Sequence, residues 1–475
     1  MGYDVAKPFF SMLSAEQCGV IHRASLEILR RTGVRVFHPE ALKLLRSADT
    51  VISDDNLVHF SPGLVEWALA QAPSRIALCR RGGSEVIANL EGREVSFGTG
   101  SDCLSYQDPR TGQHRPPTVS DLVDCIRLVD ALPELSFCMS MLIPMDLNMA
   151  NVYRNQAALM LQNTTKPFVF VCDDRADCEA IVAMASAAAG GMENLRMNPS
   201  ILLYSEPSSP LRQSETAIGK LLYMAEQGLP LVHSPAPVQG GTAPVTLAGA
   251  LAQANAEVLS ALVIHQLKRP GAPMVYGCGM HHLDMKTMAG VYGGPEFQLA
   301  RVAVAEMGRY YGMPTWGYAG DSDSCVVDEQ SAAEATFSIM TALLAGNNLT
   351  HDVGYIEQGL TTSPEMILFA AEIISELRRF TEGIALDEES MAMEVIHQVG
   401  SSHDYLATDH TLKNFRVLWQ PKRFTRLRYE AWLKKGGKPM GQRLREQTVA
   451  LMEGHVPQPL QNGVQQEIAY ILEAN

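Results

Sequence analysis

The chain has nine cysteines in 475 residues, but no Cys-x-x-Cys pair, and the count is odd. That pattern excludes a disulfide framework and reads as free, mostly buried thiols kept in a reducing compartment. Positive charge is scarce: 38 Lys and Arg face 52 Asp and Glu, for a net charge of −14. Such a balance argues against nucleic acid or an anionic membrane as the general partner, while leaving room for a local basic patch. No run is read as approaching the roughly 18 apolar residues of a membrane span. Met1–Phe10 lacks the long apolar core of a signal peptide. A cytoplasmic protein is therefore expected. The sequence also lacks G-x-S-x-G, H-E-x-x-H, a paired Cys/His zinc pattern, the Walker motif and G-x-G-x-x-G. There is no low-complexity tract and no solenoid repeat.

What is present is a large apolar fraction, 46% of the chain, enough for an extensive core. Its 23 methionines read as flexible core filler. Eight short apolar runs are each followed by a turn and a helix-like stretch. They are Val95–Gly98, Leu135–Ile143, Phe168–Cys172, Ile201–Ser205, Leu231–Ser234, Met274–Cys278, Thr315–Ala319 and Leu349–Val353. Three are preceded by Gly-x-Pro, at Gly228-Leu229-Pro230, Gly271-Ala272-Pro273 and Gly312-Met313-Pro314. There Gly stops a helix and Pro bars its restart. Strands alternating with helices imply parallel pairing, and eight such units predict a (β/α)₈ TIM barrel over residues 95–383. An α+β segment (1–94) is expected to pack against it, and a helical extension (384–475) to follow.

Local signals place many of the helices. Ser14-Ala15-Glu16-Gln17 fits a capping box, and Ser61-Pro62 a second helix start. The barrel helices are predicted at Ser120–Leu132, Met149–Asn163, Ala176–Gly190, Arg212–Gln227, Val245–Lys268, Glu296–Tyr311, Gln330–Ala345 and Pro364–Glu382. In the helix from Val245, the spacing of Leu247, Leu251, Ala254, Val258 and Leu262 predicts one apolar stripe. Further helices are expected at Asp387–Val399 and Val464–Glu473, flanking a basic stretch from Lys422 to Lys438.

Barrel enzymes keep their chemistry at the C-terminal strand ends, so the candidate site residues lie in eight loops. Gly98-Thr99-Gly100-Ser101-Asp102 suggests close backbone approach, with Asp102 facing the cavity. Glu206 ends the fourth strand, where a carboxylate is costly to bury without purpose; a salt bridge within the loop layer is the alternative. The sixth loop offers His281 and His282, of which at most one faces a substrate. The seventh carries Trp316, Tyr318, Asp321 and Asp323. Two carboxylates two residues apart could chelate a hard cation, but the further oxygen ligands of a calcium loop are absent. His351 and Tyr355 share a parity in the eighth loop if the chain stays extended. No Lys ends a barrel strand, which weakens a Schiff-base reading. A polar, aromatic and acidic mouth without evident metal or nucleophile suits a cation held over aromatic faces.

Four segments carry a family resemblance: Ile21–Leu29 (IHRASLEIL), Ala243–Ala252 (APVTLAGALA), Gly320–Ser324 (GDSDS) and Leu343–Leu349 (LLAGNNL). Through them nearly the whole chain resembles the trimethylamine methyltransferase superfamily of corrinoid-dependent methyltransferases. The founding members carry a pyrrolysine in or near the seventh loop, and every residue here is a standard amino acid. The resemblance is therefore to members lacking pyrrolysine. It implies methyl transfer from a quaternary amine, glycine betaine first (giving dimethylglycine), to cobalt(I) of a separate cognate corrinoid protein. Proline betaine, carnitine and γ-butyrobetaine are the alternative donors. It implies no intrinsic cofactor and no metal, the corrinoid (cobalamin) coming from the partner protein. A homo-oligomer is the expected assembly. The substrate-binding set is Asp102, Glu206, His281, Trp316, Tyr318, Asp321, His351 and Tyr355, acting by positioning rather than acid–base chemistry. A metal-dependent barrel enzyme using the Asp321/Asp323 and His281/His282 loops, and a betaine-binding protein, stay open as other readings.

Overall fold

The structure is a computed structural model that describes residues 5–474. The first four residues of the Met1–Phe10 stretch lie outside the described residues.

Short strands form because each apolar run is bounded by turn residues and covered on both faces. Eight runs are linked in a ring, always in parallel. Ladders join Phe168–Phe170 to Ile201–Ser205, that strand to Leu231–His233, and that to Met274–Val275. Trp316–Tyr318 pairs with Leu349–His351, which pairs with Ser96–Phe97. Single parallel bridges complete the circuit, at Gly98 with Phe137, Cys138 with Phe168, and Tyr276 with Thr315. The second position is thus an irregular segment held by bridges rather than a ladder strand. The three Gly-x-Pro entries all work as expected, with φ of +68°, +81° and +66° at Gly228, Gly271 and Gly312.

The hairpin Ile76–Cys79/Val86–Leu90 closes the N-terminal end of the barrel. Its Ile76, Leu78, Ala88 and Leu90 pack in one cluster with the inward residues Phe137, Val169, Leu202, Val232, Val275 and Leu349. The lower barrel is therefore filled by side chains.

The preface is built as its caps dictate. Ser14 and Gln17 make the reciprocal capping box of helix Ala15–Glu27, and Ser61 caps Pro62–Gln71. Ser25 donates to the carbonyl of Ala252 at 2.8 Å, tying the first helix to Leu247–Lys268. Two elements carry no clear sequence signal, the helix Pro39–Ser47 and the strand Val51–Ser53.

Three expectations are corrected. Helix Leu247–Lys268 has no single apolar stripe: every residue from Ala250 to Gln266 is buried. It is sandwiched between the barrel and the N-terminal helices, which bury its polar residues, Gln253, Asn255, Glu257 and Gln266 among them, along with the apolar ones. With 22 residues and a mean hydropathy of 1.5 it also reaches the length and apolarity of a membrane span, against the sequence reading. Second, Arg212–Gln213 is a strand paired with Arg35 and Val36, and the helix starts later, at Glu215, where Ser214 accepts from Ala217. Third, the helix expected at Asp387–Val399 breaks at Ala392, whose φ of +48° separates Glu388–Met391 from Met393–Val399.

The basic stretch wraps back onto the barrel. Arg423 pairs with the fully buried Glu372 at 3.1 Å, and Lys422 reaches Glu134 at 2.7 Å. Helix Met440–Gly454, which the sequence reading omitted, lies beyond it, and Asn462–Ala474 ends the described chain.

Candidate active site

At the C-terminal ends of the strands, alternate side chains point inward. On the fourth strand these are Leu202 and Tyr204, with Glu206 next in the same parity; on the seventh, Trp316 and Tyr318; on the eighth, Leu349 and His351. Their rings converge. Trp316 and Tyr318 each lie 4.2 Å from the His351 ring, and Tyr204 lies 5.7 Å from Trp316 and 6.1 Å from His351. Bulk on the seventh strand requires its absence on the sixth. A Cβ at Gly277 would stand 2.5 Å from that of Trp316, and one at Gly279 would stand 2.5 Å from the Tyr318 hydroxyl.

Burial shows where this cluster opens. Trp316, Tyr318 and His351 are buried, whereas Val171, Tyr204 and Tyr292 keep partial exposure and Glu206 is exposed. Tyr204, Val171 and Tyr292 are thus the partly exposed members of the cluster, and the three buried rings lie behind them. Trp316 is a barrel-core residue that supports this wall.

The acids are shaped by burial. Glu206 is exposed at the strand end, yet the protein around it takes away solvation and pushes its carboxyl up to about 7. The Tyr204 hydroxyl donates to it at 3.4 Å and partly offsets that effect. Asp102, held at φ +69°, is half-buried, and burial pushes it up to about 6. Asp321 is buried with neither carboxyl oxygen hydrogen-bonded, and burial raises it to about 7.

His351 hydrogen-bonds through Nδ1 to the carbonyl of Gly317 at 2.8 Å. A carbonyl only accepts, so that nitrogen carries the proton and Nε2 is bare. Nε2 stands 3.3 Å from Asp352 Oδ1. Burial pushes the histidine down to about 3 and raises the aspartate. The pair is consequently neutral, with the carboxylic acid facing the bare nitrogen.

The nearby cations are engaged elsewhere. Arg301 is buried over the rings of Phe297 and Tyr318, at 4.5 and 4.7 Å, and donates to the carbonyls of Cys278 and Met280. Lys220 is buried in the helix layer and donates to the carbonyl of Cys172 at 2.6 Å.

The remaining predicted residues lie apart from this arrangement or serve it indirectly. His281 is half-buried, stacks on Tyr292 at 5.4 Å and sits 3.0 Å from the Gly279 carbonyl; burial lowers its pKa. His282 is half-buried beside it. Asp323 lies near enough to Asp321 to raise its pKa, but is engaged by the main chain. It accepts from the amides of Tyr292 and Gly293 at 2.9 and 3.0 Å and so fixes the sixth loop. Among the described residues, no three His, Cys, Asp or Glu side chains gather as a metal set would. Tyr355 does not share the parity of His351, because the chain turns at Asp352 (φ +78°) and Gly354 (φ +102°). Its hydroxyl instead donates to the carbonyl of Ser101, pinning the loop that carries Asp102.

Tyr204, Tyr292, Arg301 and Asp352 were missed in the sequence reading. Tyr204 was accessible, since it is two residues before Glu206 on one strand. Tyr292 and Arg301 arrive from a loop and a helix with no local pattern, and Asp352 depends on the turn.

The match to a model of the trimethylamine methyltransferase (MTTB) family extends over residues 4–473. The trimethylamine methyltransferase MttB of Desulfitobacterium hafniense (strain DSM 10664 / DCB-2) is 30% identical over 461 residues, 97% of this chain and 93% of that protein. A glycine betaine methyltransferase from Desulfitobacterium hafniense (strain Y51) is 28% identical, covering 90% and 89%. In fold the chain is similar to the crystal structure of the Methanosarcina barkeri monomethylamine methyltransferase MtmB, with a TM-score of 0.53 at 12% identity over 94% of this chain and 89% of that one. With its whole length matched and its barrel mouth built of rings and acids, the chain belongs to the trimethylamine methyltransferase family and is a methyltransferase.

Proposed function

We propose that the well binds a quaternary amine and presents one of its methyl groups to cobalt(I) of a cognate corrinoid protein docked over the C-terminal face of the barrel. The observation that supports this reading is exposed Glu206 beside half-exposed Tyr204, with the buried rings of Trp316, Tyr318 and His351 packed behind, at the C-terminal strand ends. Carboxylates and ring faces both attract a permanent cation, each ring contact contributing about 0.5–2 kcal/mol when desolvated.

The chemistry asks little more of the chain. The carbon–nitrogen bond breaks with its electron pair staying on nitrogen, so the product is a neutral tertiary amine and no general acid is required. The corrinoid is the methyl acceptor, supplies the two-electron nucleophile and belongs to the partner. Asp102, Glu206 and the aromatic wall hold and orient the donor, and enclosure excludes water. Glycine betaine, giving dimethylglycine, is the first donor to test, supported by the similarity to the relative of that name. Proline betaine, carnitine and γ-butyrobetaine follow. The nine free cysteines, eight of them buried, support a reducing, cytoplasmic setting.

The test is a donor screen with the purified protein, cobalamin and a reductant, read as the methylcobalamin spectrum. Formation with a quaternary amine is expected. No methylcobalamin from any donor, or activity that needs stoichiometric zinc and is lost on chelation, would overturn the reading.

A further inference from the structure

Two acids stand at the barrel mouth: exposed Glu206, and half-buried Asp102, which lies near enough to act on it electrostatically. Asp321, with two unpartnered oxygens, and Asp352 are buried behind them and pushed by burial toward their neutral forms. The nearby cations act on these acids through their charge but donate their hydrogen bonds to main-chain carbonyls, Arg301 to Cys278 and Met280 and Lys220 to Cys172, so neither is placed to pair directly with a substrate carboxylate. Both are buried. His351 spends its one proton on Gly317, and His281 Nδ1 sits at the Gly279 carbonyl. The Tyr204 hydroxyl is turned to Glu206.

A betaine carries its carboxylate one methylene from the ammonium nitrogen. Wherever Glu206 and Asp102 hold the ammonium, that carboxylate lies close to the same two acids, and like charges at that range repel. An alkyl group meets no such repulsion, and a hydroxyl can donate to a carboxylate.

We infer that the well takes quaternary ammonium ions without a carboxylate, such as tetraalkylammonium and hydroxyalkyl-trimethylammonium ions, as methyl donors at least as efficient as glycine betaine. This rests on the quaternary-amine reading above. The step is the same: one methyl–nitrogen bond breaks, its electron pair leaves with the tertiary amine, and cobalt(I) of the corrinoid acceptor provides the electron pair of the new methyl–cobalt bond. Glu206 and Asp102 set the preference. Burial raises both acids, so the preference weakens as they protonate.

Two measurements on the full chain test this: binding by titration calorimetry, and methyl transfer to reduced cobalamin, with tetramethylammonium, choline and glycine betaine. Binding of the two carboxylate-free ions at least as tight as that of glycine betaine is expected, with equal or higher kcat/KM. Glu206→Gln should lower the choline-to-betaine ratio of kcat/KM by about tenfold, because it weakens the attraction of one donor and relieves the repulsion of the other. A tenfold advantage for glycine betaine, failure of both carboxylate-free ions to bind, or an unchanged ratio in a Glu206→Gln protein of unaltered unfolding temperature would each overturn the inference. If no donor gives methylcobalamin, the methyltransfer reading fails instead, and the calorimetric order still decides the preference of the well.

Discussion

His351 hands its Nδ1 proton to the carbonyl of Gly317, 2.8 Å away on the neighbouring strand, and thereby leaves Nε2 bare toward Asp352. One hydrogen bond between two barrel strands fixes the tautomer, the ring plane and the edge that Trp316 and Tyr318 pack against. His351→Ala removes that support. It deletes a buried hydrogen bond and opens a cavity, so a loss of about 2–4 kcal/mol of stability is expected along with impaired methyl transfer. Denaturant unfolding beside kcat and KM checks both. Unchanged stability and unchanged turnover would contradict this placement.

The carboxyls in the well predict how activity depends on pH. Glu206 stands at about 7 and Asp102 at about 6. A cation is attracted only by the ionised forms, so kcat/KM should rise with pH through about 7 and level off above it. In Glu206→Gln the rise should move toward the lower value set by Asp102. A pH–rate profile that is flat over this range would refute the assignment.

Buried histidines and buried acids pull stability in opposite directions as pH changes. Buried His233, His265 and His351 are pushed down to about 3 from 6.5. Below the ordinary histidine value the unfolded chain holds more protons there, so stability falls as the solution becomes more acidic. Asp102, Glu206 and Asp321 are raised to about 6, 7 and 7. For these the folded chain holds the extra proton, and that contribution is lost as pH climbs through the folded values. The two effects oppose each other between about pH 4 and 7, so from these groups the thermal midpoint should fall on acidification mainly below about 4, and Asp321→Asn should remove part of the loss between about 4 and 7. An Asp321→Asn protein whose midpoint has the same pH dependence as the wild type would count against the buried acid.

The glycines of the sixth strand should resist enlargement. A Cβ on Gly277 would meet Trp316 at 2.5 Å, against a side chain with no exposure. Gly277→Ala is expected to cost about 1–3 kcal/mol. Gly279→Ala, which presses on the Tyr318 hydroxyl, should also raise KM by shifting the wall of the well. Wild-type unfolding and KM in both variants would show that the strands can part.

Tyr355→Phe isolates the contact between the first and last loops. Its lost hydrogen bond to Ser101 should cost about 1 kcal/mol of stability. Asp102 then loses its fixed approach, and the larger effect should fall on KM. Equal KM in the two proteins would mean that the first loop is held by other contacts.

The sequence by itself determined the strand–helix alternation, the Gly-x-Pro starts and the capping boxes, because each depends on residues a few positions apart whose backbone preferences do not wait for the fold. It also placed Glu206, Trp316, Tyr318 and His351 at or near strand ends, without fixing the direction in which they point. Only the tertiary structure decided which of these are buried and which stay open to solvent. Trp316 and Tyr318 went to the wall because Gly277 and Gly279 leave them room from the next strand. Tyr355 left its expected parity at a left-handed turn. Tyr292 and Arg301 entered from a loop and a helix remote in sequence from the fourth and eighth strands. Helix Leu247–Lys268 lost its polar face because the N-terminal segment folds over it. Burial, and with it the charge carried by Asp102, Glu206 and Asp321, is a property of what surrounds a residue in space, and alternation along one strand carries no record of the neighbours on the others.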